Sequence, residues 1–328
     1  MRISILIPVY NGLPYLREAI DSVLAQQFQD WELVISDNGS TDGTRQYLAT
    51  LSDPRIRVHE QPVNLGIMGN LNFLLSQARA PVAKFLGHDD LLLAGALERT
   101  AQFMEERPSC AVSRCWAQGD AIRYAKGGAL QWEGRLPSEL APAAAVLAFA
   151  TFGNMVGNIC RAACRPQWVL EAGGFDQKYP SAGDYEGWQR VVKMAGICLQ
   201  NEELVFERVH ALQDSTRANQ KNEIYRQLNS ILELIARDVD PSLRQVLKRH
   251  WTIHFLSPRS SRFIRQILKG HFFTAFSALQ NLPLGISAFS SLAAYPIFKL
   301  KLPQFHTTTR YLFKEIVNSN QADPLVAE

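Results

Sequence analysis

Short runs of aliphatic residues alternate with helically spaced ones along the first hundred positions of the chain. Residues 2–9 (R-I-S-I-L-I-P-V) form a β-branched apolar run, and Tyr10-Asn11-Gly12 closes it with a turn signal. From 13 to 27, Leu16, Ile20, Val23 and Leu24 recur at helical spacing, so a strand is followed by a helix. Residues 32–36 repeat the strand pattern. The loop Asp37-Asn38-Gly39-Ser40-Thr41-Asp42-Gly43 is rich in capping residues, and 44–51 resumes a helix. A third strand is expected over 56–59. Asn64-Leu65-Gly66 then turns the chain into an apolar helix over 68–77, and a strand begins at Val82 and ends at Asp90, before a helix-like stretch over 91–107. Strands alternating with helices predict an α/β fold, a mostly parallel sheet with helices on both faces.

In such a sheet the ligand crevice lies outside the carboxyl ends of the strands. Asn11, Asp37 and the pair Asp89-Asp90 all fall at those ends, an arrangement expected of a nucleotide site. Neither G-x-G-x-x-G nor G-x-x-x-x-G-K-[ST] follows the first strand, where the sequence reads P-V-Y-N-G-L-P, so a dinucleotide or P-loop site is excluded. Two adjacent carboxylates at a buried strand end are costly. Alternation along a strand would point Asp89 and Asp90 in different directions, one able to take a divalent cation and the other ligand hydroxyls. In isolation such a pair more commonly starts a turn or caps a helix.

Composition adds bounds. With 328 residues, 47% hydrophobic and 20% charged, the chain can hold one large domain plus an appendage. Five cysteines at spacings that match no zinc ribbon, with no apolar leader, are expected to be reduced and mostly buried in a cytoplasmic protein. Charge is uneven. From Pro241 through Lys314 there is no Asp or Glu against eleven Lys or Arg, whereas residues 1–240 hold 23 bases against 28 acids. The two parts therefore face different partners.

Five stretches together carry a resemblance: I-P-V-Y-N-G at 7–12, S-D-N-G-S-T-D-G-T at 36–44, N-L-G at 64–66, H-D-D at 88–90, and G-G-F-D at 173–176 followed by G-D-Y-E-G-W-Q-R at 183–190. In order and spacing they resemble the inverting glycosyltransferases of family 2, which have the GT-A fold, and the resemblance covers about residues 2–216. It implies a nucleotide-sugar-binding catalytic domain over 1–216 and a basic, mostly helical extension over 217–328. It also implies a reaction: transfer of a sugar from a nucleotide-diphosphate donor, UDP-linked first, to an acceptor hydroxyl, with Mg²⁺ or Mn²⁺ as cofactor.

Such chemistry needs a grip on the nucleoside, a cation on the departing diphosphate and a base for the acceptor. By similarity, Pro8, Tyr10, Asn11, Asp37 and Asn64 hold the nucleotide, Asp89 contacts donor hydroxyls, Asp90 binds the metal and His210, in Arg208-Val209-His210, approaches the diphosphate. An Asx-turn within D-N-G-S is the structural alternative for Asp37. The family often has an acid where Asn38 stands, and an amide there is expected only to orient the loop. Gly87 likewise replaces a frequent acid. His88 is expected to pack. Asp184, at the first turn of a helix whose N-terminus would keep it ionised, is the candidate general base, with Glu186 behind it. Ser181 and Asp184 also have nearly the spacing of a capping box, a purely structural alternative. The stretch 118–142, with Trp116, Trp132 and 153–158, is expected on the acceptor side.

The tail holds a basic amphipathic helix around Phe263, Ile264, Ile267 and Leu268, and then a run of residues 272–298 without a charged side chain. An interfacial helix pair under anionic headgroups fits this better than a spanning helix, because Gln280, Asn281, Pro283 and Gly285 interrupt it. The expectation is thus a peripheral enzyme on the inner face of the cell membrane acting on a lipid-linked glycan of surface-polysaccharide synthesis. A soluble appendage or an oligomer contact is the alternative for the tail, and nothing resembling a nucleic-acid module accompanies its charge. Two other classes stand beside the enzyme: a non-catalytic nucleotide-sugar-binding scaffold, and a nucleotidyltransferase, which should show a Gly- and Arg-rich loop after the first strand.

Overall fold

The computed structural model describes residues 1–125, 135–210, 223–256 and 304–322. They divide into two compact units, one made of 1–126, 137–142 and 154–210, the other of 127–136, 143–153 and 211–328.

The first unit opens with β1 (Ile3–Val9), α1 (Leu13–Leu24), β2 (Trp31–Asp37), α2 (Thr44–Leu48), β3 (Ile56–Glu60), α3 (Gly66–Gln77) and β4 (Val82–Phe85). Every residue of β1, β2 and β4 is buried, Glu32, Asp37 and Lys84 among them, as strands in a sheet covered on both faces should be. Leu16, Ala19, Ile20 and Val23 make the buried stripe of α1 and pack with Ile5, Ile7, Leu33 and Ile35 in one core. Each aliphatic side chain of this kind contributes about 1.5–3 kcal/mol on burial.

The unit continues through β5 (Leu91–Leu92), α4 (Ala96–Glu105), β6 (Val112–Ala117), α5 (Asp120–Ala125) and β7 (Glu139–Leu140). Helix α6 (Pro142–Phe152) belongs to the second unit apart from Pro142. The first unit then closes with β8 (Ala162–Cys164), α7 (Pro166–Glu171), α8 (Gly183–Ala195) and β9 (Ile197–Phe206). Among the described residues the strands form one sheet in the order β3-β2-β1-β4-β8-β6-β9-β5, with β7 also on β9. The half β3-β2-β1-β4 is all parallel, and β8 joins β4 to β6 antiparallel, so the sheet is mixed. Its strand order reverses between β1 and β4, the place where a crevice opens at the strand ends.

Two expectations are corrected here. The strand from Val82 stops at Phe85, and the chain turns, with the Asp90 N–H donating to the Gly87 carbonyl at 3.2 Å. Leu91 and Leu92 do not begin a helix. They pair antiparallel with Phe206 and Val205, and the helix starts only at Ala96 behind a left-handed Gly95, because long-range pairing overrides the local helical spacing. The stretch 118–142, expected on the acceptor side, contains α5 and β7, and residues 126–134, with Trp132, lie outside the described residues.

In the second unit, α6, α9 (Glu223–Asp238), α10 (Arg244–Trp251) and α11 (Gln304–Gln321) surround buried Leu147, Phe149, Ile231, Ile235, Leu247, Leu312 and Ile316. His250 sits between helices, Nε2 at 2.8 Å from the Thr151 carbonyl and Nδ1 at 3.3 Å from Thr308 Oγ1, and burial pushes it down to about 3. Trp251 Nε1 donates to the Ala150 carbonyl at 2.6 Å. The basic amphipathic segment and the charge-free run 272–298 lie outside the described residues. Among the described residues no helix is long and apolar enough to cross a membrane.

Candidate functional site

Three loops at the carboxyl edge of the parallel half are stitched together. Val9 pairs in register with Asp37 and Pro8 with Ser36, so the chain leaves β1 and β2 at the same level. Asn11 then adopts a left-handed φ of 53°, a conformation Asn tolerates. Its N–H donates to Ser40 Oγ at 2.8 Å, and its Oδ1 accepts the Thr41 N–H at 2.8 Å. Tyr10 stands exposed beside it.

Asp37 is fully buried, and its carboxylate is engaged at both oxygens. The Ser40 N–H lies 3.2 Å from each, an Asx-type turn, and Arg45 Nε lies 2.7 Å from Oδ2. Arg45 also donates to the Gln61 carbonyl at 2.8 Å. A ligand reaching Asp37 must therefore share it with Arg45. Asn38 does hold the neighbouring loop: its Nδ2 donates to Asn64 Oδ1 at 3.0 Å, and its Oδ1 accepts the Leu65 N–H at 2.8 Å.

The Gly87–Asp90 turn departs from the strand-alternation argument. A Cβ placed on Gly87 would lie 2.6 Å from Asp90 Oδ2 and 2.9 Å from Asp89 Oδ1, so both carboxylates fold back over the same glycine instead of diverging. A side chain at 87 would have to displace both carboxylates. His88 packs as expected, its ring occupying the space a Cβ on Gly12 would need.

The two aspartates differ in environment. Asp90, expected to take the metal, is only 1% exposed and accepts the Arg208 N–H at 3.0 Å. Burial first, and then the charge of Asp89, push it up to about 7, against the pull of the Arg208 N–H and the Cys160 thiol. Asp90 is thus the more enclosed of the two, and a bound cation would favour its ionised form. Asp89 faces outward beside His210: Nε2 of the imidazole is 2.9 Å from Asp89 Oδ2, each side chain 14% exposed. The His210 ring rests on Tyr15 at 4.7 Å, and Arg208 lies 4.8 Å over the same ring, donating to the Asp89 carbonyl at 3.0 Å and to Glu18 at 2.6 Å.

One carboxylate oxygen and one imidazole nitrogen at this spacing are donors suited to Mn²⁺ or Mg²⁺, with phosphate oxygens and water completing the shell. Among the described residues no group of three or more His, Cys, Asp and Glu side chains is arranged to hold a metal ion unaided.

Behind the turn lies a network that the sequence reading missed. Arg161 grips Glu207 through Nε at 2.5 Å and Nη2 at 2.9 Å, and reaches Asp120 with Nη1. Glu207 precedes Arg208, so this anchor sets where Arg208 and His210 meet the aspartates. No local motif announces a contact over 46 residues.

Asp184 occupies the first turn of α8. The helix follows Ala182 at its N-cap position, which supplies no side-chain cap. Asp184 is half-buried, and Asn154 Nδ2 donates to its Oδ2 at 2.8 Å. Burial pushes it up to about 6, against the pull of the Tyr185 N–H, the Asn154 amide and its own N–H. The helix N-terminus alone does not decide its charge. Glu186 is committed elsewhere, paired with Arg190 through contacts of 2.8 Å at both oxygens.

Packing links α8 to β4. Trp188 meets Phe85 edge-on at 6.3 Å and Phe175 at 5.0 Å. Asn72 clamps the G-G-F-D turn, accepting the Phe175 N–H at 2.7 Å and donating to its carbonyl at 2.8 Å. A cleft of about 430 Å³ runs along Gly173, Phe175, Asp176, Gln177, Glu186 and Arg190. Of the candidate residues expected from sequence, Glu186 lines it.

Comparison with known proteins places these loops. Residues 4–153 match the sequence profile described as Glycosyl transferase family 2. An uncharacterized glycosyltransferase of Rickettsia felis is 27% identical over 228 residues, 67% of this chain and 36% of that protein. The chain thus spans about a third of the length of the first curated relatives it matches. The putative teichuronic acid biosynthesis glycosyltransferase TuaG of Bacillus subtilis is 38% identical over 113 residues, 34% of this chain and 44% of TuaG. Among solved structures, S. aureus TarS 1–349 in complex with UDP-GlcNAc superposes with a TM-score of 0.58 at 18% identity, covering 98% of this chain and 91% of that one. The mannosyltransferase PcManGT from Pyrobaculum calidifontis, in complex with GDP-Man and Mn²⁺, gives 0.55 at 17%, covering 98% and 88%. These likenesses show the GT-A fold.

Proposed function

From the match of residues 4–153 to the family 2 glycosyltransferase profile and the likeness to GT-A structures, we propose that the protein moves a hexosyl unit, with inversion, from a nucleotide-diphosphate sugar to an acceptor hydroxyl. Asp184 takes the proton of that hydroxyl. The acceptor oxygen then bonds to the anomeric carbon from the face opposite the leaving group, the bond from that carbon to the diphosphate oxygen breaks, and its electron pair departs with the diphosphate. A single observation carries this reading: a half-buried carboxyl at a helix start, pushed up to about 6, on the helix that aromatic packing ties to the strand entering the Asp89-Asp90 turn. A base with that proton affinity is largely ionised at neutral pH yet still basic enough to accept.

Pro8, Tyr10, Asn11, Asp37 and Asn64 border the nucleoside end. Asp89 and His210 would hold a divalent cation, with Asp90 behind them as support. When bound, the cation neutralises charge on the departing diphosphate. Neighbours in complex with UDP-GlcNAc and with GDP-Man support a nucleotide-sugar donor, and UDP-linked sugars are the first to try. The acceptor we assign to this reaction is a lipid-linked glycan of cell-surface polysaccharide synthesis, met at an anionic membrane face. The charge-free run 272–298 between Lys269 and Lys299 and the stated role of TuaG support that choice.

Release of UDP from UDP-GlcNAc in the presence of Mn²⁺ tests the reading. The wild type should release UDP, and Asp184→Asn should bind the donor but lose release. Equal turnover by the variant would overturn the role of Asp184.

A further inference from the structure

Asp184 has a partner whose own orientation is fixed. The Asn154 side chain donates from Nδ2 to Asp184 Oδ2 at 2.8 Å. The same Nδ2 is 3.3 Å from the Gly157 carbonyl, and Oδ1 accepts the Val156 N–H at 3.2 Å. Flipping the amide would set oxygen against two acceptors and nitrogen against a donor, so its two ends are assigned by the network. The loop is closed by the Gly157 N–H donating to the Asn154 carbonyl at 3.1 Å, with Gly157 itself at a left-handed φ of 75°. A turn built this way delivers one N–H to Oδ2 of Asp184.

Resting on the reading of Asp184 as the base, we infer that Asn154 is its positioning residue: it holds Oδ2 so that Oδ1 collects the acceptor proton, and it favours the ionised form. Hydrogen bonding to a charged carboxylate stabilises that form over the neutral one. Among the described residues no charged side chain adds to the balance at Asp184. Burial raises it, and the Tyr185 N–H, the Asn154 amide and its own N–H lower it. Tyr185, Glu186 and Arg190 on the same helix and Lys178 and Tyr179 in the preceding loop are the nearest titratable groups along the chain. Glu186 is neutralised by Arg190.

The test is titration of the Asp184 carboxyl in full-length protein by ¹³C NMR, assigned by its absence in Asp184→Asn, for the wild type, Asn154→Ala and Asn154→Asp. Removing the donor should move the midpoint up by about one pH unit, and replacing it with a second carboxylate should move it further. The acid limb of UDP-GlcNAc hydrolysis should shift in the same order. A residue that only shaped the loop would lower the rate and leave both midpoints in place. Unmoved midpoints in both variants overturn the inference even if Asp184→Asn is inactive. An active Asp184→Asn overturns the reading beneath it instead.

Discussion

Nε2 of His210 stands 2.9 Å from Oδ2 of Asp89, a contact made across 121 residues of chain. Its partners are held independently: Arg208 N–H on Asp90 and Arg208 Nε on the Asp89 carbonyl. The outward-facing pair and the enclosed Asp90 therefore predict different consequences of substitution. Asp89→Asn and His210→Ala should each weaken Mn²⁺ binding on the order of tenfold or more, measured by calorimetry with UDP present. Asp90→Asn should weaken it less, because that group touches the turn and not the opening. A larger loss for Asp90→Asn would return the cation to Asp90.

Tyr15 carries two of these residues on one ring, His210 at 4.7 Å and Arg208 at 4.8 Å. Aromatic and cation–π contacts of this kind are worth about 0.5–1.5 kcal/mol each. Tyr15→Leu should raise the Mn²⁺ concentration needed for half-saturation by about two- to tenfold, and Tyr15→Phe should leave it unchanged. Equal effects of the two variants would show that the hydroxyl, not the ring face, matters.

The raised proton affinity of Asp184 is also a statement about stability. A carboxyl near 6 in the folded protein and near 4 in the unfolded chain binds its proton more tightly when folded, so stability falls as pH rises from about 4 to about 6 and is level above. Asp184→Asn should therefore be more stable than the wild type at pH 7.5, by about 1 kcal/mol after allowing for solvent screening at a half-buried site, and should gain almost nothing at pH 4. Thermal melts at the two pH values check the sign.

Gly87 is constrained by space. A methyl group there would meet Asp90 Oδ2 at 2.6 Å and Asp89 Oδ1 at 2.9 Å. Gly87→Ala should fold, with a loss of about 1–3 kcal/mol, while displacing both carboxylates and weakening Mn²⁺ binding. Wild-type cation affinity in that variant would mean that the aspartates do not need this turn.

Much of the first unit was legible because its signals are local. The runs ending at Val9, Asp37 and Phe85 are mostly apolar, and the loops after the first two carry Asn, Asp, Ser, Thr and Gly at turn positions, so the shared edge of β1 and β2 could be read in advance. The folding of Asp89 and Asp90 back over Gly87 could not be read, because alternation holds along a strand and the pair lies in a turn beyond it. Leu91 and Leu92 were misread for a related reason: their partners, Phe206 and Val205, are more than a hundred residues away. Asn154 on Asp184 and Arg161 on Glu207 join segments with no common motif. Residues 143–153 likewise pack with helices from the end of the chain, and no compositional break marks that grouping.

The most direct measurement of the whole account is binding of UDP-GlcNAc by thermal shift and calorimetry, with and without Mn²⁺, in the wild type and in Asp89→Asn. The account predicts stabilisation of the wild type by the nucleotide sugar that grows when Mn²⁺ is added, and loss of the Mn²⁺-dependent part in Asp89→Asn. Saturating UDP-, GDP- and dTDP-sugars that leave the wild-type melting point unmoved, with Mn²⁺ present, would contradict it.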